Sequence, residues 1–256
     1  MKLRIICMQC FQDQGHPSNQ VHTVEIQDDN IYSLTCDHGH KTRTVLQQQK
    51  FEILFDLGAM ALLDGYHREA VTSFAASLER FYEFYIRVIT IKFKIEKDKF
   101  DKAWSHIAAQ SERQLGAYIF TYLLDHPTSE TPIIDNEKPE LVGTSKSKTK
   151  TWKDFRNAVV HKGYIPSSSE TLAYGDMVYN HIYYLINELK HNSSEFIGKA
   201  TVEYMTSVPP VSQSMAISTL ISLIGDNQPV RLQDALKILQ GEHGTWVSTP
   251  ITRLLD

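Results

Sequence analysis

No stretch of this 256-residue chain approaches the run of about 18 apolar residues that a membrane-spanning helix needs. Its first residues, MKLRIICMQC, also lack the apolar segment and small-residue cleavage site of a secretory signal, so a cytoplasmic protein with no membrane partner is expected. Cysteine is scarce: there are three, an odd number, which excludes a closed disulfide framework. Neither sign of charge dominates. With 26 Lys and Arg against 30 Asp and Glu, the formal net charge of -4 excludes broad electrostatic attraction to nucleic acid, so any such contact must be local. What is present is an ordinary globular composition, 42% hydrophobic and 22% charged, in a chain long enough to bury a full core.

Two of the three cysteines form a C-x-x-C pair, Cys7 and Cys10, and the third begins the sequence CDHGH, which also holds His38 and His40. Between them VHTVEI and IYSLTC run at strand length on either side of the polar turn QDDN, and nothing in the first 47 residues shows a helical period. Thiolates and imidazoles at two such points supply the four donors that tetrahedral zinc takes. The reading is a small zinc ribbon with ligands Cys7, Cys10, Cys36 and His40. Gly39 lets the chain turn back before His40, as in the C-x-x-G-H knuckles of similar ribbons, and His38 is the substitute donor. Four protein ligands leave no position open to substrate, so the zinc would be structural. The plainer alternative is a set of free buried thiols beside an unrelated histidine pair.

From residue 48 the period becomes helical. Residues 48–66 carry Phe51, Leu54, Phe55 and Leu62 and close at Gly65. Residues 67–95 repeat Val71, Phe74, Leu78, Phe81, Tyr85, Val88 and Phe93 over about eight turns. Residues 100–124 predict one further helix with Phe100, Trp104, Ile107, Leu115, Ile119 and Leu123 as its stripe. The aromatic group Phe81, Tyr82, Phe84 and Tyr85 falls at helical spacing, which marks packing rather than base stacking. Residues 125–150 hold three prolines and no period, and read as a long loop. It leads into Lys146, Lys148, Lys150 and Lys153, candidate phosphate contacts directly ahead of Arg156.

The next helix, expected over 152–162, has its own signals: Thr151 with Asp154 for the start, Gly163 for the end. At about 100° per residue Trp152, Phe155, Ala158 and Val159 share one face, and Asn157 and His161 lie together on the other. Arg156 sits about 140° from His161 on the same wheel, so the two would share a site only if the guanidinium curled round or met the histidine of a second copy.

The sequence RNAVVH, with Arg156, Asn157 and His161 in an R-x4-H arrangement, resembles the signature of the HEPN superfamily, and residues 68–84, REAVTSFAASLERFYEF, resemble that family's second helix with Glu79 at its acidic position. The similarity covers about residues 48–192. It implies a helical bundle that dimerises and cleaves RNA without metal, through the catalytic set Arg156, His161, Asn157 and Glu79, leaving a 2',3'-cyclic phosphate and a 5'-hydroxyl. Proteins with this motif are commonly toxins or antiviral effectors, so RNA, tRNA included, a second copy and a regulatory or trigger protein are the expected partners. The alternative is a non-catalytic zinc-ribbon and helical interaction module of a toxin–antitoxin or defence complex. Five histidines, His67, His106, His126, His181 and His191, have no partner spacing and read as incidental.

Residues 193–256 predict three short helices, 193–206, 212–225 and 231–240, then an extended tail anchored by Trp246. The expected fold is therefore mainly α: a HEPN-like helical bundle (48–192), a small N-terminal β zinc ribbon (1–47) and a short C-terminal helical region (193–256).

Overall fold

A computed structural model describes residues 2–16, 19–135, 137, 151–208, 213–222, 231–239 and 246–247. The chain is mainly α with a small β part, as its periodicities require. At the N-terminus β1 (Lys2–Ile6), β2 (Val21–Glu25), β3 (Ile31–Thr35) and β4 (Lys41–Leu46) form two antiparallel pairs, β1 with β2 and β3 with β4. The two strands legible in the sequence are β2 and β3, but they do not pair with each other. Asn30 takes the left-handed conformation (φ +57°) and sends the chain into a second sheet. A helix also stands where none was expected, α1 (Met8–Gln14). It runs from the extended Cys7 to Gly15, whose φ of +72° lets its N–H reach the Phe11 carbonyl.

The helical part is organised around α3 (His67–Lys92), which packs against α2 (Lys50–Leu63), α5 (Ser111–Asp125), α6 (Trp152–Lys162) and α7 (Ser168–Thr206). Gln49 and Glu52 form a capping box at the start of α2, and Ser167 and Glu170 form another at α7. Phe81, Tyr82, Phe84 and Tyr85 are buried, so the aromatic group of α3 is core. The ring of Phe74 is held between two glycines. A Cβ on Gly58 of α2 would lie 2.7 Å from it, and one on Gly175 of α7 2.7 Å from it and 2.8 Å from Leu232. Because the ring has nowhere to retreat, Gly175→Ala should destabilise the fold by about 2 kcal/mol in denaturant unfolding, even though alanine is the better helix former by about 1 kcal/mol.

The single helix expected over 100–124 is two: α4 (Lys97–Ser105) and α5. The carbonyls freed at the break are taken up by side chains from the new helix, Arg113 donating to His106 and Gln114 to Ala108. Restarting at Ser111 resets the helical phase. The buried face of α5 carries Tyr118 and Tyr122, while Leu123, placed in the core by the unbroken count, is exposed beside Phe120 and Leu124.

In the C-terminal region the first expected helix is the continuation of α7 beyond a kink at Ser193, whose φ of -150° and ψ of 25° interrupt the helical ladder. The second expected helix is not one: residues 213–215 are a strand, β5, and 216–222 are non-helical. The strand pairs with β4 and takes in only the first residue, Met215, of the apolar run MAISTLISLI. The third is α8 (Leu232–Leu239), and Trp246–Val247 form β6 on β1.

His181 is not incidental. It lies on the buried face of α7 with Val178, Ile182 and Leu185, and its Nε2 is 3.1 Å from the Tyr82 hydroxyl, which stacks on Tyr118. Burial holds its imidazole down at about 4. The unfolded chain binds this proton near pH 6.5 and the folded chain refuses it, so the neutral histidine contributes fully above pH 6.5 and its contribution is lost as pH falls toward 4. Stability should drop by about 3 kcal/mol over that window, and His181→Gln should flatten the profile in pH-dependent denaturant melts.

Candidate metal centre and motif helix

The C-x-x-C pair stands at the junction of β1 and α1, with Cys7 as the residue before the helix and Cys10 in its first turn. The second knuckle is the turn joining β3 to β4: Cys36 N–H donates to the His40 carbonyl, Gly39 N–H donates to the Cys36 carbonyl, and Gly39 has a φ of +82°. These two turns bring Cys7, Cys10, Cys36 and His40 together so that every donor atom lies within 4.8 Å of every other. A tetrahedral ion with bonds of about 2.3 Å to sulfur and 2.0 Å to nitrogen separates its ligands by about 3.5 to 3.8 Å. The structure has Cys10 Sγ to Cys36 Sγ at 3.7 Å, Cys10 Sγ to His40 Nδ1 at 3.3 Å and Cys7 Sγ to His40 Nδ1 at 3.9 Å. The four residues fit a metal ion such as zinc. His38 Nδ1 also lies 3.4 Å from Cys10 Sγ, but His38 stands outside the mutually close group.

The far side of His40 is engaged too. Its Nε2 is 3.6 Å from the Asp13 carboxylate on α1, an arrangement that turns Nδ1 toward the thiols. All three cysteines are buried. Burial, with Cys7 and Cys36 as neighbours, pushes the Cys10 thiol up to about 12. Burial also raises Cys36, but backbone N–H groups of His40 and His38 and the Cys10 and Cys7 thiols outweigh it and leave Cys36 below the ordinary value. Metal uptake must therefore expel at least the Cys10 proton, so affinity weakens as pH is lowered.

The motif helix α6 is as the sequence predicts over 152–162. Thr151 Oγ1 accepts from Asp154 N–H, and Gly163 ends the helix at φ +71°. Trp152, Phe155 and Val159 are buried, and His161 is exposed at the C-terminal end with Asn157 one turn before it. Arg156 points elsewhere. Its side chain is 12% exposed, and Nη1 donates to Glu79 Oε1 at 3.3 Å and to Ser111 Oγ at 3.2 Å. Burial raises the Glu79 carboxyl, with Arg156 and Arg80 pulling it back, and burial raises Asp135 nearby in the same way. The structure thus joins Glu79 to Arg156, and does not join either to His161 by a hydrogen bond or ion pair among the described residues. Lys153 is half-buried, with Glu112 3.9 Å from its Nζ. Lys146, Lys148 and Lys150 lie outside the described residues. Ser111 and Asp13 were not singled out from sequence; each acts through a residue distant along the chain, and no local pattern marks either.

No helix among the described residues is long and apolar enough to cross a membrane. Compared with family models, curated proteins and solved structures, the chain finds no match.

Proposed function

We propose that this chain is a metal-independent endoribonuclease of the HEPN type, acting as a homodimer in the cytoplasm and carrying a structural zinc ion on Cys7, Cys10, Cys36 and His40. The observation that supports the catalytic reading is His161: the imidazole of the RNAVVH motif is exposed on α6, with Asn157 one turn before it, while Trp152, Phe155 and Val159 hold the other face of the helix in the core. An imidazole can take the proton of a ribose 2'-hydroxyl or give one to the leaving 5'-oxygen. Asn157 would orient the ring or donate to the phosphate. Arg156 would hold the phosphate through paired N–H donors, which requires it to exchange Glu79 and Ser111 for substrate. That exchange suits a toxin or defence effector kept at rest until a trigger protein or a second copy completes the site.

The test is incubation of the purified chain with total RNA and a tRNA pool in EDTA, with end-group analysis. Fragments ending in 2',3'-cyclic phosphate and 5'-hydroxyl are expected. Cleavage that needs a divalent ion beyond the structural zinc, such as magnesium added to the zinc-loaded chain, or that leaves 5'-phosphates, overturns the reading. A second reading, a non-catalytic zinc and helical interaction module, is favoured by one specific observation: Arg156 already has both of its partners inside the chain.

A further inference from the structure

Residues 213–222 are far in sequence from the N-terminal sheets yet are built into them. β5 pairs in parallel with β4, with Thr44 opposite Gln213 and Leu46 opposite Met215. Gln47 N–H donates to the Met215 carbonyl at 2.9 Å, Gln47 Nε2 to Ser214 Oγ at 3.1 Å, and Ile217 N–H to Gln48 Oε1 at 3.0 Å. Met215 is buried in the same cluster as Cys7, Cys10, Cys36 and Leu46. Helix α1, which carries Cys10 and Asp13, packs on both β4 and β5. The next few residues are held quite differently. Thr219 Oγ1 donates to Glu52 Oε1 at 3.0 Å and Leu220 N–H to the buried Asp56 at 3.0 Å, both acids on α2, the helix that α3 braces.

This segment is therefore fastened at two points by two kinds of force. The 219–222 end is pinned by carboxylates on a helix of the main core. The 213–217 end rests on a strand and a seven-residue helix, and that helix is far shorter than one that is stable without tertiary support. What anchors α1 beyond its own length is the cluster of donors at its start. Without an ion, its three thiols lie among Leu3, Ile5 and Met215 with the half-buried His40 beside them.

We infer that metal occupancy of Cys7, Cys10, Cys36 and His40 is coupled to the docking of residues 213–217 on β4 and α1, so that loading the metal fastens this strap and losing it frees the strap up to its pin at Thr219 and Leu220. The inference rests on the metal reading given above. The coupling is reciprocal: whatever the metal adds to strap docking, the docked strap adds to metal affinity.

Hydrogen exchange followed by mass spectrometry on the full chain tests it, comparing protein loaded with zinc and protein stripped by chelator, with zinc content measured on the same samples. Amides of 213–217 are expected to exchange about ten-fold faster without zinc, with those of Thr219, Leu220 and Ser222 and of α3 unchanged. In competition with a chromophoric chelator, Met215→Ala should bind zinc several-fold more weakly. Stoichiometric zinc with identical exchange at 213–217 in both forms overturns the coupling while leaving the metal site intact. Acceleration through α3 as well would mean general unfolding and also overturns it. A chain that retains no zinc removes the metal reading and the coupling together.

Discussion

Replacing Cys10 by serine is expected to weaken zinc binding by at least about 100-fold and to unfold the N-terminal sheets while leaving the helical core intact. Cys10 is the most central donor of the cluster, with Cys36, His38 and His40 all within 3.7 Å of its sulfur. Structural zinc sites of this type hold their metal with apparent free energies of about 10 to 16 kcal/mol at neutral pH, and that binding energy is also folding energy for the surrounding chain. The donors sit inside the support of the sheets: β2 is exposed on one face and half-buried on the other, and the three thiols are part of the buried cluster behind β1. Chelator competition reads the affinity, and near-ultraviolet dichroism with exchange at β1 and β3 reads the structure. The histidine pair divides the same way. His40→Ala should lose the metal as Cys10→Ser does, whereas His38→Ala should bind within a few-fold of the parent; the opposite result would move the fourth ligand to His38. Because the Cys10 thiol must give up its proton, release of zinc should also begin as the solution is acidified.

Removing the His161 imidazole should lower RNA cleavage by about 10²- to 10⁴-fold with stability changed by less than about 0.5 kcal/mol, since the ring is exposed and makes no hydrogen bond among the described residues. Arg156→Ala behaves differently. It leaves the half-buried Glu79 carboxylate facing Asp135 and Glu112 with Arg80 as its remaining cation, and should destabilise the chain by about 1 kcal/mol. A fall in cleavage by that variant therefore mixes lost chemistry with a loosened fold. Pairing it with Glu79→Gln removes the stranded charge and should restore most of the stability. If the double variant is stable and inactive while Glu79→Gln alone cleaves as the parent does, Arg156 touches the phosphate. If it is stable and cleaves as the parent does, the arginine is a strut between α3, α5 and α6, and the interaction-module reading gains. Equal loss of cleavage with no change in thermal stability for Arg156→Ala alone would show that the Glu79 pair contributes nothing to the fold.

Most of what was legible from the sequence is local in origin. The apolar stripes of α2 and α3, the Thr151 and Gly163 ends of the motif helix and the Ser167–Glu170 cap depend on residues within a turn or two of each other, so spacing alone carries them. The metal ligands were legible for a related reason: two short knuckles of soft donors with a glycine to reverse the chain leave few other uses for those residues. Where reading failed, a choice between equal local options had been settled by distant partners. Residues 212–225 are apolar enough for a helix, but Gln213–Met215 pair with β4 and 216–222 are non-helical. The break before Ser111 is paid for by Arg113 and Gln114 side chains, which no stripe count can foresee.

The sequence by itself therefore determined the class of the fold, the place and limits of the motif helix and the two knuckles that carry the metal donors, because each follows from periodicity or from short-range spacing; the choice of His40 over His38 and the exposure of His161 came from the structure. Only the tertiary structure decided that Arg156 turns inward to Glu79 and Ser111, that His181 is a buried partner of Tyr82, and that a strand from residues 213–215 closes the N-terminal sheet. Those three outcomes depend on which elements lie side by side, and the satisfaction of buried charges and backbone donors across such neighbours is a property of the packed chain rather than of any segment within it.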